Sequence, residues 1–231
     1  MRSRDIASVA VFAALYAVGS LLPGFPIIGV EGGSISLTRA LEVVYGLLLG
    51  PIYGPVAAFL GSFVGKALTG GGVGFLTTPL AAISAFIAAC LGRKRAFGLP
   101  GWALGAGVLA ATIASWYLTT TGLSVPYYPT MHIASLLLVL VLRERIADMV
   151  HSKKGKTVTL GVAVTALPST LAGHILGGVI FIALLGTPAV VYVATLPVAV
   201  VERSILTLIA AAVGGPLLIL VRRAYPWFEK P

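Results

Sequence analysis

Charge is what this sequence has least of. Its 16 Lys and Arg and 7 Asp and Glu are 10% of 231 residues, against 58% hydrophobic residues and a mean hydropathy of +1.02. Soluble domains carry about 25% charged residues. Too few are present to clothe a globule in water, so lipid is the solvent. Cysteine is nearly absent too: Cys90 stands alone in an apolar run, which excludes an intrachain disulfide and any Cys-based metal site. No His-Glu-x-x-His pair occurs, nor a Gly-rich phosphate loop ending in Lys-Ser/Thr, so zincin chemistry and nucleotide hydrolysis have no residues to run on. The net charge of +9 does not imply nucleic acid, because the basic residues lie in loops between apolar segments, where they report orientation and anionic headgroups.

What is present is apolar length. A helix needs roughly 20 apolar residues to cross the hydrocarbon core, and about eight spans are expected: Ile6 to Leu22, Thr38 to Leu49, Ile52 to Leu68, Thr78 to Leu91, Gly101 to Leu118, Pro129 to Leu142, Val158 to Leu185 and Pro197 to Val221. The opening apolar run is too long for a signal-peptide core and lacks a clean cleavage site before polar sequence, so it reads as a retained helix. The second and third spans hold Gly46, Gly50 and Gly54, then Ala57, Gly61 and Gly65. Small residues four apart let helices approach closely in lipid. Gly50-Pro51 interrupts them, because proline lacks a donor and restricts its predecessor, so a tight hairpin is expected there.

With Arg2 and Arg4 inside, eight crossings put Arg93, Lys94, Arg95, Arg143, Arg145, Lys153, Lys154, Lys156, Arg222, Arg223 and Lys230 on the same side. That is 13 of the 16 Lys and Arg, as the positive-inside rule requires. The expectation is a multi-pass protein of the cell membrane with both termini cytoplasmic. The outer side receives loops 24–36, 69–74 and 119–130, candidate lids, and a connection 186–196 bracketed by Pro188 and Pro197, expected as a short interfacial element.

Ionisable residues within spans are costly and face a cavity or a partner. Arg39, Glu42, Lys66, His132, His174, Glu202 and Arg203 all fall in the outer half of the membrane in this topology. A proton relay would string such groups through the whole thickness, so this distribution describes a cup that opens outward. Arg39, Glu42, Lys66, His132, His174 and Glu202 are the candidate contacts. Adjacent Glu202 and Arg203 point apart on a helix, so Glu202 is expected to face the cup while Arg203 pairs elsewhere. Competing roles are mutual neutralisation of Arg39 and Glu42, snorkelling of Lys66 and packing for either histidine. Trp116, Tyr117, Tyr127, Tyr128 and Tyr192 collect at the same level, as an interfacial belt or as stacking surfaces for a flat ring; Tyr117, Tyr127 and Tyr128 are kept as candidates. Glu31, before Gly32-Gly33, is a candidate lid carboxylate. Ser62 in GSFVG lacks the strand-turn-helix elbow of a serine nucleophile; Ser62 or Ser169 with a histidine is the remote enzyme alternative.

Several stretches together resemble the substrate-binding S components of energy-coupling factor (ECF) transporters: DIASVAVFAALYAV, then ALEVVYGLLLGPIYGPVAAFLGSFVG after a long outer loop, then LPVAVVERSILTLIAAAVGGPLLILVRR. The resemblance implies an all-α, polytopic transmembrane bundle, one integral membrane domain over 1–231. It implies a six-helix S-component core, to which 101–145 adds an inserted helical hairpin. It also implies a vitamin-binding protein without enzymatic activity, resident cofactor or metal. Such a protein works with an ECF transmembrane scaffold subunit and two ATP-binding cassette ATPases, and topples in the bilayer to release its cargo. The small face of the first helix (Ala10, Ala14, and with them Ala13 and Ala17) would dock on the scaffold. The hairpin has no counterpart in the family, so Trp116, Tyr127, Tyr128 and His132 inherit no role from it. Met131-His132-Ile133 resembles the start of metal-specific components, but an internal copy lacks the N-terminal amine. The cup's acids, bases and aromatics suit a heterocyclic vitamin or precursor such as riboflavin, thiamine or a pyrimidine, with riboflavin leading. A self-sufficient secondary carrier is the main alternative.

Overall fold

The structure is a computed structural model that describes residues 3–22, 24–26 and 34–225. Among them the architecture is an all-α bundle. Helix α1 (Ser3–Gly19) leads to a two-stranded antiparallel ribbon, β1 (Gly24–Pro26) and β2 (Ser34–Ser36), in which Phe25 pairs with Ile35. Then come α2 (Arg39–Leu68), a 3₁₀ turn (Gly72–Thr77) and α3 (Thr78–Leu91). A second ribbon, β3 (Arg95–Ala96) with β4 (Leu99–Pro100), precedes α4 (Gly101–Tyr117), α5 (Thr120–Ser124), α6 (Thr130–Leu142) and α7 (Arg145–Val150). Two long helices, α8 (Gly155–Leu185) and α9 (Ala189–Ala224), follow.

Four helical segments among the described residues are long and apolar enough to cross a membrane: Arg39–Leu68, Gly72–Leu91, Gly155–Leu185 and Ala189–Ala224. Large apolar side chains face outward along them and along α1 and α6, among them Leu15, Phe63, Leu137 and Leu208. Such a surface is stable only against lipid, so the chain is a multi-pass membrane protein.

The Gly-Pro break folds α2 back on itself. Gly50 has φ +89°, outside the helical region, a conformation glycine adopts without a steric penalty. A Cβ on Gly54 would stand 2.8 Å from the Tyr45 carbonyl oxygen and 2.9 Å from the Gly46 Cα. Eight residues along a straight helix span about 12 Å, so residues 39–49 and 51–68 are two arms of a hairpin. Gly61 and Gly65 on the second arm receive α1: a Cβ at Gly61 would meet Tyr16 Cβ at 2.5 Å.

The core has two centres. One gathers apolar residues of α1, α2, α8 and α9, including Val43, Val44, Leu206 and Leu218. The other is built around Trp116, Leu109, Ile87 and Ile175 from α3, α4 and α8. The second is the work of residues 101–145, and α3 and α8 supply the wall it packs on. Helix α6, with 13 residues, is about 20 Å long, shorter than the hydrocarbon core is thick.

One expected boundary is corrected. Residues 189–196 are not a separate interfacial element but the first turns of α9, with Pro197 inside the helix. Pro188 caps the helix in an extended conformation, and Pro197 costs the helix only one internal hydrogen bond, which lipid-embedded helices tolerate. Glu31, the candidate lid carboxylate, lies outside the described residues.

Candidate functional site

The N-terminal ends of α2, α3 and α9 and the C-terminal end of α8 meet at the same end of the bundle. Between them is a cavity of about 100 Å³, bordered by Arg39, Tyr128, His174, Tyr192, Glu202 and Arg203, with Leu80, Phe181 and Val198 among its apolar members. Five of these polar residues come from long helices. The sixth, Tyr128, stands just before α6, so residues 101–145 contribute to the wall.

Two acid–base pairs anchor this end. On α2, Arg39 Nη1 lies 3.9 Å from Glu42 Oε1, and the Tyr16 hydroxyl of α1 donates to the same oxygen at 2.8 Å. Both α2 residues are buried. Glu42 is therefore held from two sides, while the long contact leaves the Arg39 guanidinium loosely engaged at the cavity. On α9, Arg203 Nη2 donates to the Glu202 carboxylate, and Arg203 Nη1 donates to the Thr170 carbonyl of α8 at 3.3 Å. Taking two ions from water costs several kcal/mol each unless both are paired and hydrogen-bonded, which explains why neither arginine is stranded.

A second group is aromatic. Tyr128 Oη is 3.2 Å from His174 Nε2, and His174 Nδ1 is 3.2 Å from His132 Nε2. The two imidazoles are parallel within 6°, with centroids 5.4 Å apart. Trp116 stacks on Tyr128 at 4.6 Å, and Tyr192 meets both rings edge-on. Tyr192 is fixed by donating to the Gly178 carbonyl at 2.8 Å, and Trp116 by donating to the Val125 carbonyl at 3.3 Å. In the hydrogen bond between the two histidines one nitrogen must be an acceptor, so the Tyr128–His174–His132 chain has a direction. Tautomer choice at the two rings decides whether Tyr128 offers the cavity a donor or an acceptor.

Of the candidates, Arg39, Tyr128, His174 and Glu202 border the cavity. Glu42 and His132 stand one layer behind, as the supports of Arg39 and His174. Three candidates are placed elsewhere. Lys66 packs beside Gly74, its Cδ 3.0 Å from where a Cβ there would stand. Tyr117 donates to the Pro126 carbonyl at 2.9 Å, tying α4 to the loop before α6. Tyr127 is 51% exposed, turned away from its cavity-facing neighbour. The expectation for Arg203 is also corrected: it borders the cavity together with Glu202 and pairs with it, because a long guanidinium stem can fold back along its own helix. Tyr192 was visible in the sequence only as a member of an aromatic belt, and Thr195 and Thr77, also at the cavity, gave no signal at all.

On α1 the small residues divide. Ala10 and Ala14 are exposed, Ala13 is half-buried and Ala17 is buried. Ala17 lies against the second arm of α2, its Cα 3.5 Å from where a Cβ on Gly65 would stand, so it serves intrachain packing and is not open to a partner. The Ser169 hydroxyl donates to the Thr165 carbonyl at 2.8 Å within its own helix, not to a histidine. Among the described residues no group of three or more His, Cys, Asp or Glu is placed to hold a metal ion.

No protein-family model matches the chain. An uncharacterized protein of Methanocaldococcus jannaschii is 32% identical to it over 192 residues. The matched region is 81% of this chain and 61% of that protein, so the chain spans less than two thirds of its relative's length. No solved structure matches.

Proposed function

We propose that the chain is the substrate-binding subunit of an ATP-driven importer of the ECF type, taking a small water-soluble vitamin or precursor from outside the cell. The observation that carries this reading is the convergence of the buried ionisable residues of α2, α8 and α9 on one cavity at one end of the bundle. That end is opposite the loops rich in lysine and arginine, which the positive-inside rule assigns to the cytoplasm together with both termini. The S-component likeness of α2 and α9 supports the same reading, with residues 101–145 as an addition to a six-helix core and about eight crossings in all.

The cavity chemistry narrows the cargo. Each carboxylate already has an arginine, whereas Arg39 retains donor capacity, and the opposite wall is aromatic. This combination suits a flat ring that carries an acidic group: the ring on Tyr128, His174 and Tyr192, the acid on Arg39. At about 100 Å³, the cavity as it stands favours a single-ring molecule; a three-ring flavin requires the outer segments to lift. The Tyr16–Glu42–Arg39 chain gives occupancy a route to α1, because an acid drawn to Arg39 competes with Glu42, which holds Tyr16. The exposed Ala10 and Ala14 on the same helix suit a scaffold subunit that must slide.

Native mass spectrometry of gently purified protein tests this. A bound small molecule is expected in the wild type and is lost in Arg39→Gln and His174→Ala. Ion-driven uptake by vesicles containing this chain alone would replace the proposal with a secondary carrier.

A further inference from the structure

At the end of the bundle opposite that cavity lies a second one, of about 390 Å³, bordered by Arg93, Lys94, Arg95, Ala147, Asp148 and His151. Three cations and a histidine surround one carboxylate, and that carboxylate is engaged: Lys94 Nζ is 2.8 Å from Asp148 Oδ1. This hydrogen bond holds the Lys94 ammonium above the usual lysine range. The arginines are pre-positioned. Arg93 Nη1 donates to the Gly46 carbonyl at 3.3 Å and the Ala89 carbonyl at 3.1 Å, and Arg95 Nη2 donates to the Gly98 carbonyl at 2.8 Å. Each guanidinium keeps further donors, and fixed guanidinium forks match oxyanions with little ordering cost.

What lies beside the cavity is apolar. The β3–β4 ribbon turns through Phe97 (φ 51°) and Gly98 (φ 80°), the paired positive-φ signature of a two-residue hairpin. Phenylalanine is an uncommon choice for such a position. It leaves the Phe97 ring 60% exposed and stacked on Phe86 of α3 at 6.2 Å, with Leu99, 53% exposed, two residues on. A basic hollow whose adjoining ribbon turns apolar side chains outward fits a molecule that is anionic at one end and hydrocarbon at the other.

We propose that this cavity binds the phosphate headgroup of an anionic membrane lipid, with Arg93, Lys94 and Arg95 around the phosphate and an acyl chain along Phe97 and Leu99. The site does not depend on what the first cavity binds. Basic pockets between membrane helices take lipid headgroups in this way, and each cation near the surface contributes about a fivefold gain in affinity.

The test is lipid retention by the full chain. Protein in detergent is titrated with phosphatidylglycerol, phosphatidylcholine or inorganic phosphate, and bound molecules and thermal midpoints are read by native mass spectrometry and melting. Phosphatidylglycerol is expected to bind and raise the midpoint. Lys94→Gln and Arg95→Gln each weaken it about fivefold, Phe97→Ser weakens it as well, and Lys153→Gln, on the same face but outside the cavity, leaves it unchanged. Equal retention of phosphatidylcholine, or an equal loss in Lys153→Gln, would overturn the site as mere surface charge. A midpoint shift produced in full by inorganic phosphate, with no effect of Phe97→Ser, would overturn the lipid in favour of a free phosphate ligand.

Discussion

Among single residues, the Glu202–Arg203 pair is the sharpest test of how polarity is tolerated inside this bundle. Both are buried, and Arg203 also donates to the Thr170 carbonyl of the neighbouring helix. Removing one partner leaves a charge without compensation, a cost of about 3–5 kcal/mol. Arg203→Ala and Glu202→Ala should therefore each lower the melting temperature in detergent strongly. The double substitution Glu202→Gln with Arg203→Gln should recover much of the loss, since neither charge is then stranded. Two additive single losses would show that the residues do not act as a pair. Sequence position alone identified Glu202 as a cavity residue, because a carboxylate within an apolar run is too costly to leave facing lipid. It misassigned Arg203, because the helical wheel records where a side chain leaves the backbone, not where a long flexible stem ends.

Among elements, the α2 hairpin decides the geometry of everything above it. Its two arms are joined by Gly50 at positive φ, and Arg93 ties the turn down by donating to the carbonyls of Gly46 on the first arm and Ala89 at the end of α3. A cation placed on two helix C-terminal ends also meets the negative ends of two helix dipoles. Gly50→Ala forces an L-residue into a positive-φ, extended conformation (φ 89°, ψ −176°) that essentially only glycine adopts, which costs about 1–3 kcal/mol. Gly46→Ala is harsher: the added Cβ would stand 2.1 Å from the Ala85 carbonyl oxygen, so α3 must move, and overpacking of this kind costs about 1–3 kcal/mol or more. Gly107→Ala on α4 meets nothing within 4 Å and serves as the neutral control. Melting should show the largest loss for Gly46→Ala, a smaller one for Gly50→Ala and none for Gly107→Ala; equal losses would mean that the close approach of α2 and α3 is not what holds this region. The hairpin itself was legible, since Gly-Pro between glycine repeats has little other use in lipid. The run of α9 through Pro197 was not, because a proline marks a boundary in sequence while a packed helix absorbs it.

For the whole molecule, the arrangement places Thr69 and Lys153 at opposite ends. The native Cys90 is buried and so gives little background. Cysteines introduced at Thr69 and Lys153, both exposed, should label with a membrane-impermeant maleimide from opposite sides: Thr69→Cys in intact cells and Lys153→Cys only in inverted vesicles. Labelling of both from one side would remove the proposed orientation and with it the outward cup.

Composition alone determined that this chain lives in lipid, because too few charges remain to cover a soluble surface; the length of its continuous apolar runs determined that it folds as helices, which bond every backbone polar group within the segment. The ends of the apolar runs located most of the helices to within a few residues; α9, which begins at Ala189 and not at Pro197, is the exception. Which side chains share a cavity was decided only by tertiary structure. Tyr128 and His174 are 46 residues apart and Tyr16 and Glu42 are 26 apart, and nothing local in either member of a pair records the other. Helix periodicity sets a direction for each residue; only the packing of α1, α2, α8 and α9 determines what that direction meets.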